Sequence, residues 1–187
     1  MSILKLNKLL SLNKAKTLQY LYDQKLANSI ICDSIVFNVK RWKIDKKIIL
    51  SQIKKKFKNT NLIIRSSSNT EDTIATSMAG AFLSISGVSI KNEKSLKFAI
   101  QKVIKSYKKV SKFQSDYDEI LVQKFITNVS MSGVVFTHEI SSGAPYYVIN
   151  YDDKTGLTDS ITSGISKTDK TIYVYRNGTK NFKSPRF

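Results

Sequence analysis

The chain is poor in cysteine, histidine, proline and glycine, and these shortages exclude several classes of protein. Its single cysteine, Cys32, excludes an internal disulfide and a cysteine-rich metal site. With His138 as the only histidine, a two-histidine zinc motif and a serine–histidine triad are hard to build. Cys32 follows Ile30 and Ile31 and is predicted to be a packed thiol, not a nucleophile. His138 is predicted to be a turn residue.

Long apolar runs and acidic residues are also scarce. No stretch reaches the roughly 20 apolar residues that a membrane helix needs, and the N-terminus lacks a secretory signal, so we expect a cytoplasmic protein. The chain has 14 acidic against 31 basic residues, a net charge of +17. Such a charge favours polyanions as partners, namely nucleotides, nucleic acids or acidic membrane surfaces. The lysines are spread along the chain, however, which equally fits a solvated basic surface.

The remaining composition suits a folded domain. The 187 residues are 41% apolar, enough for one domain or one and a half with a real core. Hydrophobic periodicity predicts helices over residues 14–26, 46–58 and 95–109, with Asn13 and Ser95 as N-caps of the first and third. The basic second helix is expected to pack its apolar stripe on a sheet, although lying on nucleic acid or lipid is an alternative. Strands are predicted at residues 34–39, 62–64, 120–126, 132–137, 145–151 and 171–176, followed by a tight turn at Asn177-Gly178.

One stretch, residues 62–88, carries the strongest functional signal. An apolar strand, Leu62–Ile64, runs directly into Arg65, and a loop rich in serine and threonine follows before Gly80. The end of a strand can hold Arg65 so that its planar guanidinium group binds two phosphate oxygens at once. Small residues let backbone N–H groups approach the phosphates. The alternative is an ordinary polar loop beside an exposed arginine, because the pattern is neither a Walker loop nor a Rossmann fingerprint.

The order and spacing of residues in this stretch also resemble a known family. The matching residues are Arg65-Ser66-Ser67, Glu71-Asp72 and Ser77-Met78-Ala79-Gly80. They are similar to the nucleotide-binding domain of the phosphoenolpyruvate synthase and pyruvate phosphate dikinase family, which has an ATP-grasp fold, and the similarity extends over about residues 13–176. The resemblance implies an α+β fold of mixed or antiparallel sheets with flanking helices. It also implies a first ATP-grasp subdomain over residues 1–118 and part of a second over residues 119–187.

The resemblance implies a set of phosphate-binding residues. Arg65 would be the catalytic residue, and Arg65, Lys14, Ser66, Ser67 and Gly80 would hold the phosphates of ATP. Lys14 aligns with a family lysine, but the glycines that precede that lysine in the family are absent here. A surface lysine at a helix start is therefore the alternative. A lysine in a first helical turn is unfavourable for the helix dipole unless an anion is bound nearby.

The other implied sites concern adenine and magnesium. The strand end formed by Gln123, Lys124, Phe125 and Ile126 would hold adenine through backbone groups. Asp159 stands where better-known members have a glutamate, and it would hold Mg²⁺ through an oxygen contact. An ordinary turn or helix-cap aspartate is the alternative for Asp159.

The implied reaction transfers phosphate from ATP to an acceptor through a phosphohistidine, releasing AMP and phosphate. Two segments, SMAGAFLS and PYYVINYDD with the later TDSITSG, resemble the glutamine kinase branch of surface-polysaccharide biosynthesis, with a pyruvate dikinase as the alternative. No counterpart of the last ATP-grasp lobe follows Arg176, so a truncated and inactive chain is expected. It would need that lobe, a phosphohistidine domain and an acceptor domain, in the same or an adjacent chain. A nucleic-acid-binding module and a non-catalytic basic remnant are the rival interpretations.

Overall fold

The computed structural model describes residues 12–68, 72–73, 76–77, 83–110, 115–155, 170–176 and 181–182. These residues fall into two compact units, one ending at Phe125 and the other beginning at Ile126. Both helices and antiparallel sheets contribute to the structure, which confirms the predicted α+β class. Among the described helices, none is both long and apolar enough to cross a membrane.

The first unit contains four helices and six strands within its described residues. In chain order they are α1 (Lys14–Asp23), β1 (Ser34–Asn38), α2 (Val39–Ile44), α3 (Lys46–Lys56), β2 (Asn61–Ser67), β3 (Asp72–Thr73), β4 (Thr76–Ser77), β5 (Ser84–Ser89), α4 (Glu93–Val110) and β6 (Glu119–Lys124). Four of the strands form an antiparallel sheet in the order β1-β6-β2-β5, and β3 pairs with β4. Because β6 pairs with both β1 and β2, the first unit extends to residue 125.

Asparagine side chains begin three of these helices. The side-chain oxygen of Asn13 accepts a hydrogen bond from the backbone N–H of Lys16 at 3.0 Å, which confirms the predicted cap of α1. Asn38 caps α2, a helix that was not predicted, in the same way. The prediction that Ser95 caps α4 is wrong, because Asn92 accepts from the N–H of Ser95 at 3.0 Å. Asparagine caps at least as well as serine, and an acidic residue then occupies the first turn, where the helix dipole favours it.

The core lies between one face of the sheet and helices α2, α3 and α4. The apolar stripes predicted for α3 and α4 are buried as expected, and they join strand residues in one cluster, whose members include Ile49, Ile53, Phe57, Leu62, Ile64, Leu96, Ile100, Val103, Ile120 and Val122. Burying each such side chain contributes about 1.5–3 kcal/mol. At the surface, Glu93 of α4 pairs with Lys54 of α3 at 2.5 Å and with Lys97 at 2.6 Å. These contacts lower the pKa of Glu93 to about 2, chiefly through the hydrogen bond from Lys54.

β2 is longer than the sequence predicts. The expectation that the strand ends at Arg65 and that Ser66 and Ser67 begin a loop is wrong. Both serines are strand residues, since Ser66 pairs with Ile120 and Ser67 with Glu119 across β6. A partner strand on this side therefore overrides the loop preference of serine.

The second unit contains an antiparallel sheet in the order β10-β9-β8-β7. Its strands are β7 (Ser132–Phe136), β8 (Tyr146–Asp152), β9 (Lys170–Tyr175) and β10 (Asn181–Phe182). The first three were predicted and β10 was not; the turn predicted at Asn177-Gly178 lies outside the described residues. His138 lies in the β7–β8 connection, as predicted, with its Nε2 atom 2.6 Å from Nη1 of Arg176. In the same connection, hydrogen bonds from Ser142 and Ser141 lower the pKa of Glu139 to about 2.

Candidate functional site

Strand alternation places the candidate residues on two different sheet faces. Leu62 and Ile64 are fully buried in the core, so Ile63 and Arg65, which alternate with them along β2, point to the opposite face. On β6, Leu121 lies opposite Arg65 and Gln123 lies opposite Ile63. We call this surface the Arg65 face; its members are Ile63, Arg65 and Ser67 of β2 with Glu119, Leu121 and Gln123 of β6.

Arg65 is half-buried on this face, and its Nε atom is fully buried. Within the described residues the Nε–H has no hydrogen-bond partner, and the guanidinium makes no ion pair. A buried donor left unpaired costs about 1–3 kcal/mol. An anion that offers two oxygens to the guanidinium fork would remove that cost, so the local structure suits an anionic ligand.

The N-terminus of α1 meets the Arg65 face at Ser67. The backbone N–H of Ala15 donates to Oγ of Ser67 at 2.8 Å, and both residues are almost completely buried. Ser67 and Arg65 are two residues apart on the same side of β2, about 6–7 Å along the strand. Lys14 is the first residue of α1, so this contact brings its backbone next to the Arg65 face.

A hydrogen-bond network that the sequence did not predict fixes Ser67 in place. The N–H of Ser67 donates to the hydroxyl of Tyr107 in α4 at 2.9 Å, and that hydroxyl donates to the backbone oxygen of Glu119. The carboxylate of Glu119 in turn accepts from Nδ2 of Asn13 at 2.7 Å. The periodicity that predicts the helix over residues 95–109 indicates only that Tyr107 faces the core. The signal for the network is that a buried tyrosine hydroxyl normally needs a partner.

Ser66 lies on the other side of the sheet. Its side chain shares the core face with Leu62 and Ile64, is 1% exposed, and has an Oγ atom without a partner among the described residues. Its backbone N–H donates to the oxygen of Leu83 at 3.3 Å. The structure therefore brings Arg65, Ser67 and the start of α1 together and directs the Ser66 hydroxyl away from them.

The residues expected to hold adenine also lie on different sides of the sheet. Gln123 lies on the Arg65 face and is 7% exposed. Lys124 lies opposite Leu62 and so belongs to the core side of the sheet, at its exposed end. The N–H of Phe125 donates to the oxygen of Asn61 at 2.8 Å and is thereby occupied. Ile126 begins the second unit and is 55% exposed.

Two expected site residues, Gly80 and Asp159, lie outside the described residues. In the part of the chain that the structure describes, no three histidine, cysteine, aspartate or glutamate side chains are grouped so that they could hold a metal ion. The described site is therefore an arginine, a lysine-bearing helix start and buried polar side chains on one sheet face, an arrangement suited to binding a phosphate-bearing ligand.

Comparison with known proteins identifies a family. The family model described as pyruvate phosphate dikinase, AMP/ATP-binding domain, matches residues 43–184. The matched range includes Arg65, Ser67 and Gln123 but begins after α1, so Lys14 lies outside it. A search of the curated proteins finds no match. Because the family model matches well over half of the chain, this protein belongs to the AMP/ATP-binding domain family of pyruvate phosphate dikinase.

Proposed function

We propose that this chain is the ATP-binding part of a dikinase-type phosphotransferase and that Arg65 binds the phosphates of ATP. Membership of an AMP/ATP-binding family supports the ligand and the reaction class. The observation that carries the assignment of the site is the buried, unpartnered Nε–H of Arg65 on a sheet face that also contacts the start of α1.

Arg65 and Lys14 would act by positioning and charge. Phosphoryl transfer depends mainly on holding the phosphates in line and neutralising their charge. The guanidinium group of Arg65 can bind two phosphate oxygens at once, and Lys14 can supply a positive charge at the start of α1. The N–H groups of Ala15 and Lys16 already donate to Ser67 and Asn13, so those two amides are committed within the protein. Helix α1 would therefore contribute its lysine and its dipole.

Ser67 and Gln123 have different parts in this proposal. Ser67 would be a positioning residue, because its hydroxyl holds the N–H of Ala15 and so keeps the start of α1 beside the phosphates. Adenine would lie toward Gln123, whose side chain is on the same face one strand away. Gly80 would cover the phosphates.

The proposal extends to the complete reaction. A histidine on a separate domain would take the terminal pyrophosphoryl group of ATP, leaving AMP. Water would then release the outer phosphate as inorganic phosphate, and the phosphoryl group left on the histidine would pass to the acceptor. Resemblance of two sequence segments to the glutamine kinase branch supports glutamine as that acceptor and a place in surface-polysaccharide biosynthesis, in the cytoplasm. Magnesium would accompany the phosphates, with Asp159 as a ligand.

The test of the site is protection of the fold by ATP. We expect millimolar ATP to raise the melting temperature of the wild-type chain and Arg65→Ala to weaken ATP binding by about 10- to 100-fold, as expected for a lost charge-assisted hydrogen bond of about 1.5–3 kcal/mol. The ATP affinity of Arg65→Lys should lie between those of the wild-type chain and Arg65→Ala. Lysine keeps the positive charge but lacks the planar guanidinium group that binds two oxygens at once. Arg41→Ala is the matched control, since Arg41 is exposed on α2. Superimposable melting curves with and without ATP would refute the proposal.

The acceptor needs a separate measurement. In an enzyme that contains this chain together with its phosphohistidine and acceptor domains, AMP formation from ATP should depend on glutamine. If pyruvate supports the reaction and glutamine does not, the acceptor assignment is wrong. The ATP site is tested separately, by the melting experiment with Arg65→Ala.

A further inference from the structure

A second basic site lies at the end of the sheet, where three chain segments meet. The residues before β1, the C-terminus of α3 with the turn that follows it, and the end of β6 enclose a cleft of about 410 Å³. We call it the lysine cleft and define it by Lys55, Lys56, Lys58 and Lys124 with Cys32 and Asp33.

The cleft has more positive charge than its surroundings neutralise. Lys56 is paired, because its Nζ lies 3.3 Å from Oδ1 of Asp33 and 3.2 Å from the oxygen of Ser34. Lys55, Lys58 and Lys124 make no ion pair with any described residue. Three positively charged residues that line one cleft repel each other, and a bound anion would relieve that repulsion.

Helix capping explains only part of this cluster. Lys55 and Lys56 lie in the last turn of α3, where positive charge complements the helix dipole. Lys58 follows the helix, and Lys124 comes from β6. Neither lysine belongs to the last turn of α3, so the helix alone does not account for their presence at the cleft.

The lysine cleft is distinct from the Arg65 face. Lys124 pairs with Leu62 and lies on the core side of the sheet, whereas Arg65 pairs with Leu121 and lies on the other side. Leu121 and Lys124 are three residues apart on β6, about 10 Å along the strand. A ligand in the cleft would therefore leave the Arg65 face open.

We propose that the lysine cleft binds a small anion with clustered phosphates, of which inorganic pyrophosphate is the simplest probe. Such an anion concentrates several negative charges in a volume that the cleft can hold, matching three uncompensated lysines. A single-stranded nucleic acid fits less well, because that mode of binding uses a long groove with exposed aromatic side chains. Phe57, the aromatic residue of this cleft, is only 5% exposed and cannot stack on a base.

Cys32 supplies a specific readout because it is the only cysteine of the chain and lines the cleft. We expect pyrophosphate, added at constant ionic strength without divalent cations, to slow alkylation of Cys32 by iodoacetamide in a saturable way. The same protection should persist in Arg65→Ala, in which the proposed nucleotide site is impaired. This experiment is therefore independent of whether ATP binds at Arg65.

Paired charge variants locate the anion. The double variant Lys55→Gln/Lys58→Gln should raise the half-protecting pyrophosphate concentration by at least about tenfold. The control is Lys47→Gln/Lys108→Gln, which removes the same net charge from exposed positions outside the cleft. It should change that concentration by less than about threefold, as expected for screened charges at a distance. The alkylation rate without pyrophosphate shows whether each variant keeps the local fold around Cys32.

Several outcomes would overturn the proposal. Absence of protection in the wild-type chain means that the cleft does not bind the anion. Equal effects of the two double variants mean that overall charge is responsible. Loss of protection in Arg65→Ala places pyrophosphate at the nucleotide site. If duplex DNA protects Cys32 better than pyrophosphate at equal phosphate concentration, the cleft belongs to a nucleic-acid surface.

Discussion

Removal of the Tyr107 hydroxyl should loosen the proposed site. It accepts from the N–H of Ser67 and donates to the backbone oxygen of Glu119, so it joins α4 to β2 and β6. Tyr107 is 1% exposed and Ser67 is fully buried. In Tyr107→Phe the ring still fills its place, while these two backbone groups lose their hydrogen bonds to the hydroxyl.

The size of the effect follows from those two groups. Leaving a buried backbone donor or acceptor unpaired costs about 1–3 kcal/mol. For two such groups the expected loss is about 2–4 kcal/mol, below the full sum because Ser67 and Glu119 face each other across β2 and β6 and can partly pair. That is a large share of the roughly 5–15 kcal/mol that stabilises a typical domain. ATP binding should weaken as well, though less than in Arg65→Ala, because Ser67 and the start of α1 lose part of their support.

Urea unfolding measures this loss directly. Tyr117→Phe is the matched control, because Tyr117 is 75% exposed and its substitution should change the unfolding free energy by less than about 0.5 kcal/mol. If Tyr107→Phe changes stability no more than Tyr117→Phe does, the network does not hold Ser67 and the reasoning fails. Unchanged stability with weakened ATP binding would also refute it, since the hydroxyl would then act on the ligand.

Three further substitutions test other parts of the structure. Ser66→Ala removes a buried hydroxyl without a partner and should raise the unfolding free energy by about 1 kcal/mol with ATP affinity unchanged, whereas weaker ATP binding would put this hydroxyl at the phosphates. The pKa of Glu93 is lowered to about 2 by Lys54 and Lys97, so its stabilising contribution is present above its unfolded pKa of 4.5 and is lost as the pH falls toward the folded value. The unfolding free energy measured with urea should consequently fall less steeply between about pH 5 and pH 2 in Glu93→Gln than in the wild-type chain. Equal pH slopes in the two proteins would contradict this. In Gly133→Ala the added Cβ would lie 2.8 Å from a backbone oxygen of β8. We therefore expect the unfolding free energy to fall by about 1–3 kcal/mol, seen as a lower melting temperature. An unchanged melting temperature would show that β7 and β8 separate at no cost.

The sequence predicted those parts of the fold that periodicity controls. The stripes of α3 and α4 were correct because every third or fourth residue of each helix must be apolar to reach the core. The end of β2 was wrong because serine is typical of loops, while pairing with β6 depends on residues more than 50 positions away. Local preference could not reveal that partner strand, and it also missed the stronger cap at Asn92.

The division of Ser66 from Ser67 shows how one error in strand length affects a site. Successive strand residues point to opposite faces, so extending β2 by two residues separates two serines that a loop would have kept together. Ser67 then joins Arg65, and Ser66 joins the core. The same alternation could have been applied to the sequence if the strand end had been known.

Among the described residues Arg65 has no ion-pair partner because the neighbouring polar groups bind other residues. Glu119 lies on the same face, two residues along β6 from the residue opposite Arg65, and its carboxylate is a natural partner for a guanidinium. Asn13 takes that carboxylate instead, by a hydrogen bond of 2.7 Å that also anchors the cap of α1. Ser67 accepts from Ala15 on the same face. The contacts that hold α1 against the sheet therefore engage polar groups near Arg65, and an anion from outside the protein is the partner that this arrangement leaves room for.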